Sequence, residues 1–447
     1  MRRNPLALIT LAPMACTVDQ QQEVALYRDL LDTAPPPSAP RPGEPLTLVA
    51  LLWLTNQNNE QLAIQGESYV QALIARKRAA AAFVPTVSLV PSYVYREQSA
   101  SGIPFLDDPT QLDVPVAASI DAFRGFQDRA ALRASEATSR QQRELLLDLR
   151  ESLLLDVARI FYQVLRSQQS VVVLENSLAR QDERVRDMRA RYDAGMARPL
   201  DVAQTEAQAS GTRLKLIDAQ NDVARARSTL GFLTGIDVTA LPLLDELDVP
   251  AAIAPLDELE ARAVATRPDV LAADAAKAAT RHEIDRAVGQ YYPTLQVDFA
   301  YFLSRDSLPT DRDWNGLLSL SLPIFSGGRI HADVRRAWSQ FRQAELSAAL
   351  TRRRVHEELA IARHDLGAST ARLAEVQVEL SAAEAAFAQA EDTYAVGMST
   401  NLERLTAQDE LLTAQLRLAS EQFDRKAFYL TLVRASGELG TLLAGRR

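Results

Sequence analysis

The chain is written twice. Tyr192-Asp193-Ala194-Gly195-Met196 recurs as Tyr394-Ala395-Val396-Gly397-Met398, an offset of 202, and Asp201 then matches Glu403 at the same offset. Phe123-Arg124-Gly125 matches Phe325-Ser326-Gly327, again 202 apart, while Pro85-Thr86-Val87 matches Pro293-Thr294-Leu295 at 208. One such match would mean little. Four in order, with a single six-residue jump that a longer loop absorbs, mark an internal repeat, and a repeat dictates that one structural unit is built two times over.

Each copy has the same grammar. Helices are expected over 46–82 and 257–290, before the two Pro-Thr anchors. Strand pairs follow, at about 86–95 and 112–123 in the first copy and about 294–304 and 316–325 in the second. The strands alternate. Leu295, Val297, Phe299, Tyr301 and Leu303 are apolar, with Gln296, Asp298 and Ser304 between them. Leu318, Leu320, Leu322 and Ile324 alternate with Ser319 and Ser321, and Leu112, Val114, Val116, Ala118 and Ile120 with Asp113, Ser119 and Asp121. Period two with one apolar face describes a half-buried strand. Strands of about ten residues, four to a chain, suit a barrel shared between subunits, apolar toward lipid and polar toward water. Four strands cannot close around a channel alone, so their edges need partners.

After the strands come two very long helices. No Pro or Gly occurs from Gln127 to Ala194, and only Gly367 interrupts the stretch from Arg329 to Val396. Each runs roughly 100 Å at 1.5 Å per residue, a length that calls for coiled-coil packing. Leu146, Leu149, Leu153, Val157, Ile160, Val164 and Leu178 supply a seam in steps of three and four. Composition agrees. Hydrophobic residues make up 47% but aromatics only 6%, and there are 17 glycines, so the apolar share is helix-forming Ala, Leu and Val. The reading is a mainly α chain with a small β part: first repeat 46–240, linker 241–256, second repeat 257–440, tail 441–447.

The N-terminal region has the layout of a secretory signal. Arg2 and Arg3 precede an apolar stretch from Leu6 to Ala12, and then Pro13-Met14-Ala15-Cys16. Cys16 is the one cysteine of the chain, placed as at a lipoprotein processing site, so 1–16 is expected to be removed and Cys16 lipidated. Residues 17–45 form a spacer whose stretch 34–45 holds Pro35-Pro36-Pro37 and three further prolines, which describes an extended segment.

Several arrangements mimic chemistry. His356-Glu357 opens a zinc-like pattern, but position 360 is Ala and the next histidine is His364, eight residues on, where a helical site needs four. Gly327-Gly328 lacks the Gly-Lys-Ser/Thr of a phosphate loop. The net charge of −9 disfavours nucleic acid as a partner. The expectation is no enzyme, no metal and no cofactor.

With these residues in view the chain resembles the TolC-like outer-membrane efflux proteins. The resemblance rests on Phe325-Ser326-Gly327-Gly328-Arg329, Pro293-Thr294-Leu295-Gln296-Val297, Arg267-Pro268-Asp269-Val270 and the two Tyr-x-x-Gly turns, and it covers about residues 46–440. It implies a homotrimer with a twelve-stranded barrel in outer-membrane lipid above a periplasmic tunnel of paired helices. Substrate would arrive from an inner-membrane transporter through a periplasmic adaptor. Gly195-Met196 and Gly397-Met398 would be the tips where the adaptor docks. Glu403, with Asp201 as its first-copy counterpart, would line the closed pore, and Tyr394 would help hold it shut. Ser399 and Thr406 depart from the residues that relatives carry there, which implies a weaker lock. The bland alternative for Asp201 and Glu403 is a negative charge in a helix's first turn. For the whole chain the alternative is a periplasmic coiled-coil adaptor or scaffold.

Overall fold

The computed structural model describes residues 19–31, 45–95, 110–307 and 312–440. Cys16, the signal segment, residues 32–44 of the proline-rich spacer and the tail lie outside them, while Gln20–Leu31, expected as spacer, is a helix that buries Tyr27 and Leu31. The described elements, in chain order, are α1 (Gln20–Leu31), β1 (Leu46–Thr47), α2 (Leu48–Asn58), α3 (Glu60–Ala80), β2 (Thr86–Leu89), β3 (Ser92–Tyr95), β4 (Thr110–Arg124), α4 (Gln127–Asp193) and α5 (Pro199–Thr234). The second copy follows with β5 (Leu243–Leu244), α6 (Leu256–Thr266), α7 (Pro268–Gly289), β6 (Thr294–Arg305), β7 (Trp314–Ser321), α8 (Arg329–Ala395) and α9 (Asn401–Ala435). The chain divides into two compact units. One comprises Met1–Gly66, Leu146–Pro268 and Arg352–Arg447, the other Glu67–Leu145 and Asp269–Thr351.

The second unit holds the sheet. Its path is β2-β4-β6-β7, antiparallel throughout, with β3 also on β4. The strand expected at 86–95 is interrupted at Val90-Pro91, yet β2 and β3 meet β4 in one continuous register, Leu89 facing Val116 and Ser92 facing Asp113. Proline cannot donate to a ladder and sits on an edge for that reason. The sheet is therefore four strands wide. The last strand differs more from expectation: β7 spans Trp314–Ser321, so Leu322 to Phe325 lie beyond it. Below the sheet, Ile284 and Ala287 of α7 pack with Ala337 of α8, flanked by Val334 and Phe341.

The first unit is helical, and its repeat is legible in a duplicated corner. The single helices expected over 46–82 and 257–290 are each broken, at Asn59 and at Arg267. The break residues stand 208 apart. Asn59 Nδ2 donates to the carbonyl of Leu233, and Arg267 Nη1 to that of Ala435, two acceptors 202 apart near the ends of α5 and α9. Beside each lies a glycine in left-handed conformation, Gly235 at φ 69° and Gly437 at φ 75°. A Cβ there would stand 2.8 Å from the Asn58 Cβ, or 2.6 Å from the Thr266 Oγ1, so both glycines are required twice over, by φ and by space. Breaking the helix at Asn59 costs little because its side-chain oxygen accepts from the amides of Gln61 and Leu62 and restarts α3. At the other corner Pro268 does this work, since it fixes the first turn and lacks a donor to lose.

Along α4 the buried stripe runs through Leu146, Leu153, Val157, Phe161, Val164 and Leu174, all at most 5% exposed. Leu149, Ile160 and Leu178 of the expected seam are only half-buried. The linker between the copies is pinned to this unit. Leu46–Thr47 pairs in parallel with Leu243–Leu244, Arg227 donates to the carbonyls of Val238, Thr239 and Leu241, and Asp245 accepts from Tyr162 and Lys426.

Candidate functional site: the hairpin ends

Each pair of long helices turns at its Tyr-x-x-Gly motif. Gly195 N–H donates to Tyr192 O at 2.9 Å and Met196 N–H to Arg191 O at 2.7 Å. In the second copy Gly397 donates to Tyr394 at 3.0 Å and Met398 to Thr393 at 2.8 Å. This pair of bonds closes a helix end around one left-handed residue, and Gly195 and Gly397 have φ of 74° and 78°. The methionines that follow point outward, 75% and 81% exposed. Two apolar, adaptable side chains thus stand in water at equivalent positions of the two copies.

The acidic residues lie one turn further on, in the first turn of each returning helix. Glu403 forms a capping box with Thr400: its carboxylate accepts from the Thr400 N–H at 3.0 Å, and its own N–H donates to Thr400 Oγ1 at 3.3 Å. Asp201 accepts from the Arg198 N–H at 3.3 Å and from both branches of the Arg198 guanidinium at 2.9 Å. Those hydrogen bonds hold the Asp201 carboxyl below the usual carboxylate range. The first-turn placement expected as the alternative is thus present in both copies. Glu403 nonetheless remains exposed, with capacity left at its carboxylate, whereas the Asp201 side chain is only 13% exposed.

Between the two hairpins lies a cluster that the sequence reading did not anticipate. Arg184 of α4 binds Glu391 of α8 at 2.7 Å and donates to Gln408 of α9. Arg404 of α9 stands 3.8 Å from the same glutamate, donates to Asn401 Oδ1 at 3.0 Å, and covers the ring of Tyr394 at 4.0 Å. Asn401 continues to the Asp201 carbonyl and Thr205 Oγ1, and Gln208 donates to the Leu405 carbonyl. Burial lowers the pKa of Arg184 against the pull of Glu391. Two largely buried guanidiniums thus share one carboxylate, and Tyr394 takes part through its ring, as a platform for Arg404. Ser399 bonds to Thr393 Oγ1, and Thr406 to the Leu402 carbonyl. Periodicity could not reveal this cluster, because its members come from four helices.

Elsewhere His356 pairs with Glu260 at 2.6 Å and His282 with Asp285 at 3.6 Å. Among the described residues no group of three or more His, Cys, Asp or Glu could hold a metal ion, and no helix is long and apolar enough to cross a membrane.

The second unit presents a different surface. Across the sheet Val297 is flanked by Ile120 and Leu318, and Tyr301 by Val116 and Trp314. This apolar face is open: Val87, Leu89, Tyr93, Phe299, Tyr301, Trp314, Leu318 and Leu320 are between 44% and 71% exposed. On the other face Gln296 lies between Asp121 and Ser319, and Asp298 beside Ser119.

Known proteins share this pattern. The sequence matches the outer membrane efflux protein family over residues 52–236 and 259–438. It is 28% identical over 325 residues to the outer membrane efflux protein BepC of Brucella suis, covering 71% of this chain and 70% of that protein. It is 22% identical over 422 residues to the outer membrane protein TolC of Vibrio cholerae, covering 89% and 93%. The outer-membrane channel OprN superposes with a TM-score of 0.78 at 23% identity over 88% of this chain and 90% of that one, a likeness of fold.

Proposed function

The chain belongs to the outer membrane efflux protein family, and on that premise we propose that it is one protomer of a trimeric exit duct through the outer membrane. The observation that carries the reading is the sheet, with one continuous apolar face exposed, one polar face, and unpaired edges at β2–β3 and β7. An apolar patch of this extent on a soluble protein would drive aggregation. Facing lipid it is stable, provided every backbone group is paired, and that requires closure by further strands. Three copies of four strands give the twelve of the expected barrel.

In this reading the paired helices form the periplasmic tunnel, and Gly195-Met196 and Gly397-Met398 are the tips that meet a periplasmic adaptor bound to an inner-membrane transporter. Glu403 supplies one carboxylate per protomer to a ring at the closed end, whose negative charge attracts cations and whose mutual repulsion favours opening. Arg184, Glu391, Arg404 and Tyr394 tie the two hairpins of a protomer and hold that end shut. Asp201, committed to Arg198, is the weaker candidate for the ring. Cys16 is the proposed site of the lipid anchor. A periplasmic adaptor or scaffold, the other reading of the sequence, is not the family that the sequence matches.

Arginine scanning of the sheet tests the barrel. Arg at Phe299 or Leu320 should impair membrane assembly, at a cost of about 2–4 kcal/mol near the bilayer midplane, whereas Arg at Gln296 or Ser319 should be tolerated. The measurement is the yield of heat-modifiable oligomer in outer-membrane fractions. Equal tolerance at all four positions would contradict a lipid-facing surface.

A further inference from the structure

The two strand-to-helix turns of the second unit meet one geometric demand with different residues. Gly125 and Phe126 join β4 to α4, Gly327 and Gly328 stand before α8, and the four have positive φ, at 60°, 64°, 61° and 82°. The first turn is fixed from outside. A Cβ at Gly289 would stand 2.7 Å from the Gly125 carbonyl oxygen, and one at Gly125 would overlap the Gly289 carbonyl, so the end of α7 holds the turn in place. The second residue of each turn also starts the long helix, its carbonyl accepting from the N–H of Ala130 or Ala332 at 3.0 Å. Glycine adopts a left-handed backbone without steric cost, whereas a bulky residue there is an outlier, and helix starts favour Ser, Thr, Asp or Asn. Phe126 is unsuited on both counts. It is the one non-glycine residue with positive φ among the described residues, and at 60% exposed it gains little from burial. Strain of this kind points to a use for the side chain.

Ring contacts show which way Phe126 points. The β4 strand bulges between Asp121 and Phe123, so that Ile120 faces Val297 and Phe123 faces Leu295, which in turn faces Leu320. The bulge thereby delivers Phe123 to the apolar face of the sheet. The Phe126 ring meets Phe123 edge-on at 5.1 Å and Tyr292 at 6.2 Å, which places it on that same side, at the end of the sheet where the helices begin. Tyr291 and Tyr292 are each 48% exposed beside it. A second copy joined at the edges of the sheet does not reach this spot, because β4 is an inner strand, paired on both sides within the chain.

We propose that Phe126 seats the protein at the boundary between the acyl chains and the headgroups of the bilayer, its ring among the chain ends and the two tyrosines at the headgroup level. This rests on the reading of the sheet as a lipid-facing barrel wall and adds a residue that fixes its depth. The β6 strand has 12 residues, about 40 Å of strand. At a tilt of about 40° it rises roughly 30 Å, against an apolar band of about 25 Å. Its ends therefore stand at the boundary, where tyrosine rings are at home. Phenylalanine has no polar atom and belongs on the acyl side of them. An ordinary turn residue would be better served by glycine, as at Gly328; a lipid anchor cannot be.

That contrast supplies the test. Full-length chains carrying Phe126→Trp, Phe126→Gly or Leu320→Trp are assembled in phosphatidylcholine vesicles whose acyl chains are brominated either near the headgroup or near the chain end, with the parent's three tryptophans setting the background. The added fluorescence of Phe126→Trp should fall at least twofold with the shallow bromines and less with the deep ones. The yield of membrane-assembled protein should match the parent for Phe126→Trp and drop severalfold for Phe126→Gly, the reverse of what the backbone prefers. A glycine variant that assembles as well as the parent, or better than Phe126→Trp, would overturn the proposal and leave Phe126 a turn residue. Quenching of Leu320→Trp without quenching of Phe126→Trp would overturn it and leave the lipid-facing wall standing. Quenching of neither would overturn both.

Discussion

At the scale of residues, function and local stability compete for the same side chains. Glu403 is both a helix cap and the candidate pore charge, and these roles can be separated because glutamine also completes a capping box. Glu391 serves two arginines that are themselves largely buried, an arrangement that specifies geometry more than it stabilises. Glu151 shows the cost of burial most plainly. It is 7% exposed on α4, and burial raises its pKa to about 6 from 4.5, although Arg150, Arg434 and Arg267 pull the other way. Because the folded pKa lies above the unfolded one, the folded protein holds this proton more tightly. The penalty is absent below about pH 4.5, grows as the unfolded chain loses its proton first, and is complete above about pH 6. Glu151→Gln should therefore stabilise the protein at pH 7.5 by up to about 2 kcal/mol and have little effect at pH 4.5, read as the thermal midpoint at each pH. A lower midpoint for the variant at pH 7.5 would show that pairing with Arg150 outweighs burial.

At the scale of elements, the two corners show what a sequence reveals and what it conceals. The strand faces were legible because period two is a local signal, as were the long helices, from the near absence of Pro and Gly. The break at Arg267 could be read in principle from Pro268. The break at Asn59 could not, since no proline marks it and its cause is a carbonyl 174 residues away, at Leu233. The hairpin cluster was hidden for the same reason: Arg184 and Glu391 are 207 residues apart, and neither carries a motif. The spacing Thr400-x-x-Glu403 is that of a capping box, but the sequence analysis took from it only a negative charge in the helix's first turn as the alternative to the gate. The corners make their own prediction. Gly437→Ala and Gly235→Ala should each destabilise, by about 1–2 kcal/mol from the left-handed backbone alone and more from contact with Thr266 or Asn58, measured by thermal unfolding. Unchanged midpoints would show that the corners relax freely and do not fix the broken helices.

At the scale of the whole molecule, everything follows from one unit used twice. Duplication gives each copy strands followed by a long-helix hairpin, and each hairpin ends at an exposed methionine. The most direct test is single-channel recording of the purified protein in a planar bilayer, with Glu403→Gln recorded beside it. Discrete cation-selective channels whose selectivity weakens in the variant, from proteins of equal thermal stability, are expected of a duct with an acidic ring. A parent protein that forms no channels would contradict the duct, and channels indifferent to Glu403→Gln would place the ring elsewhere.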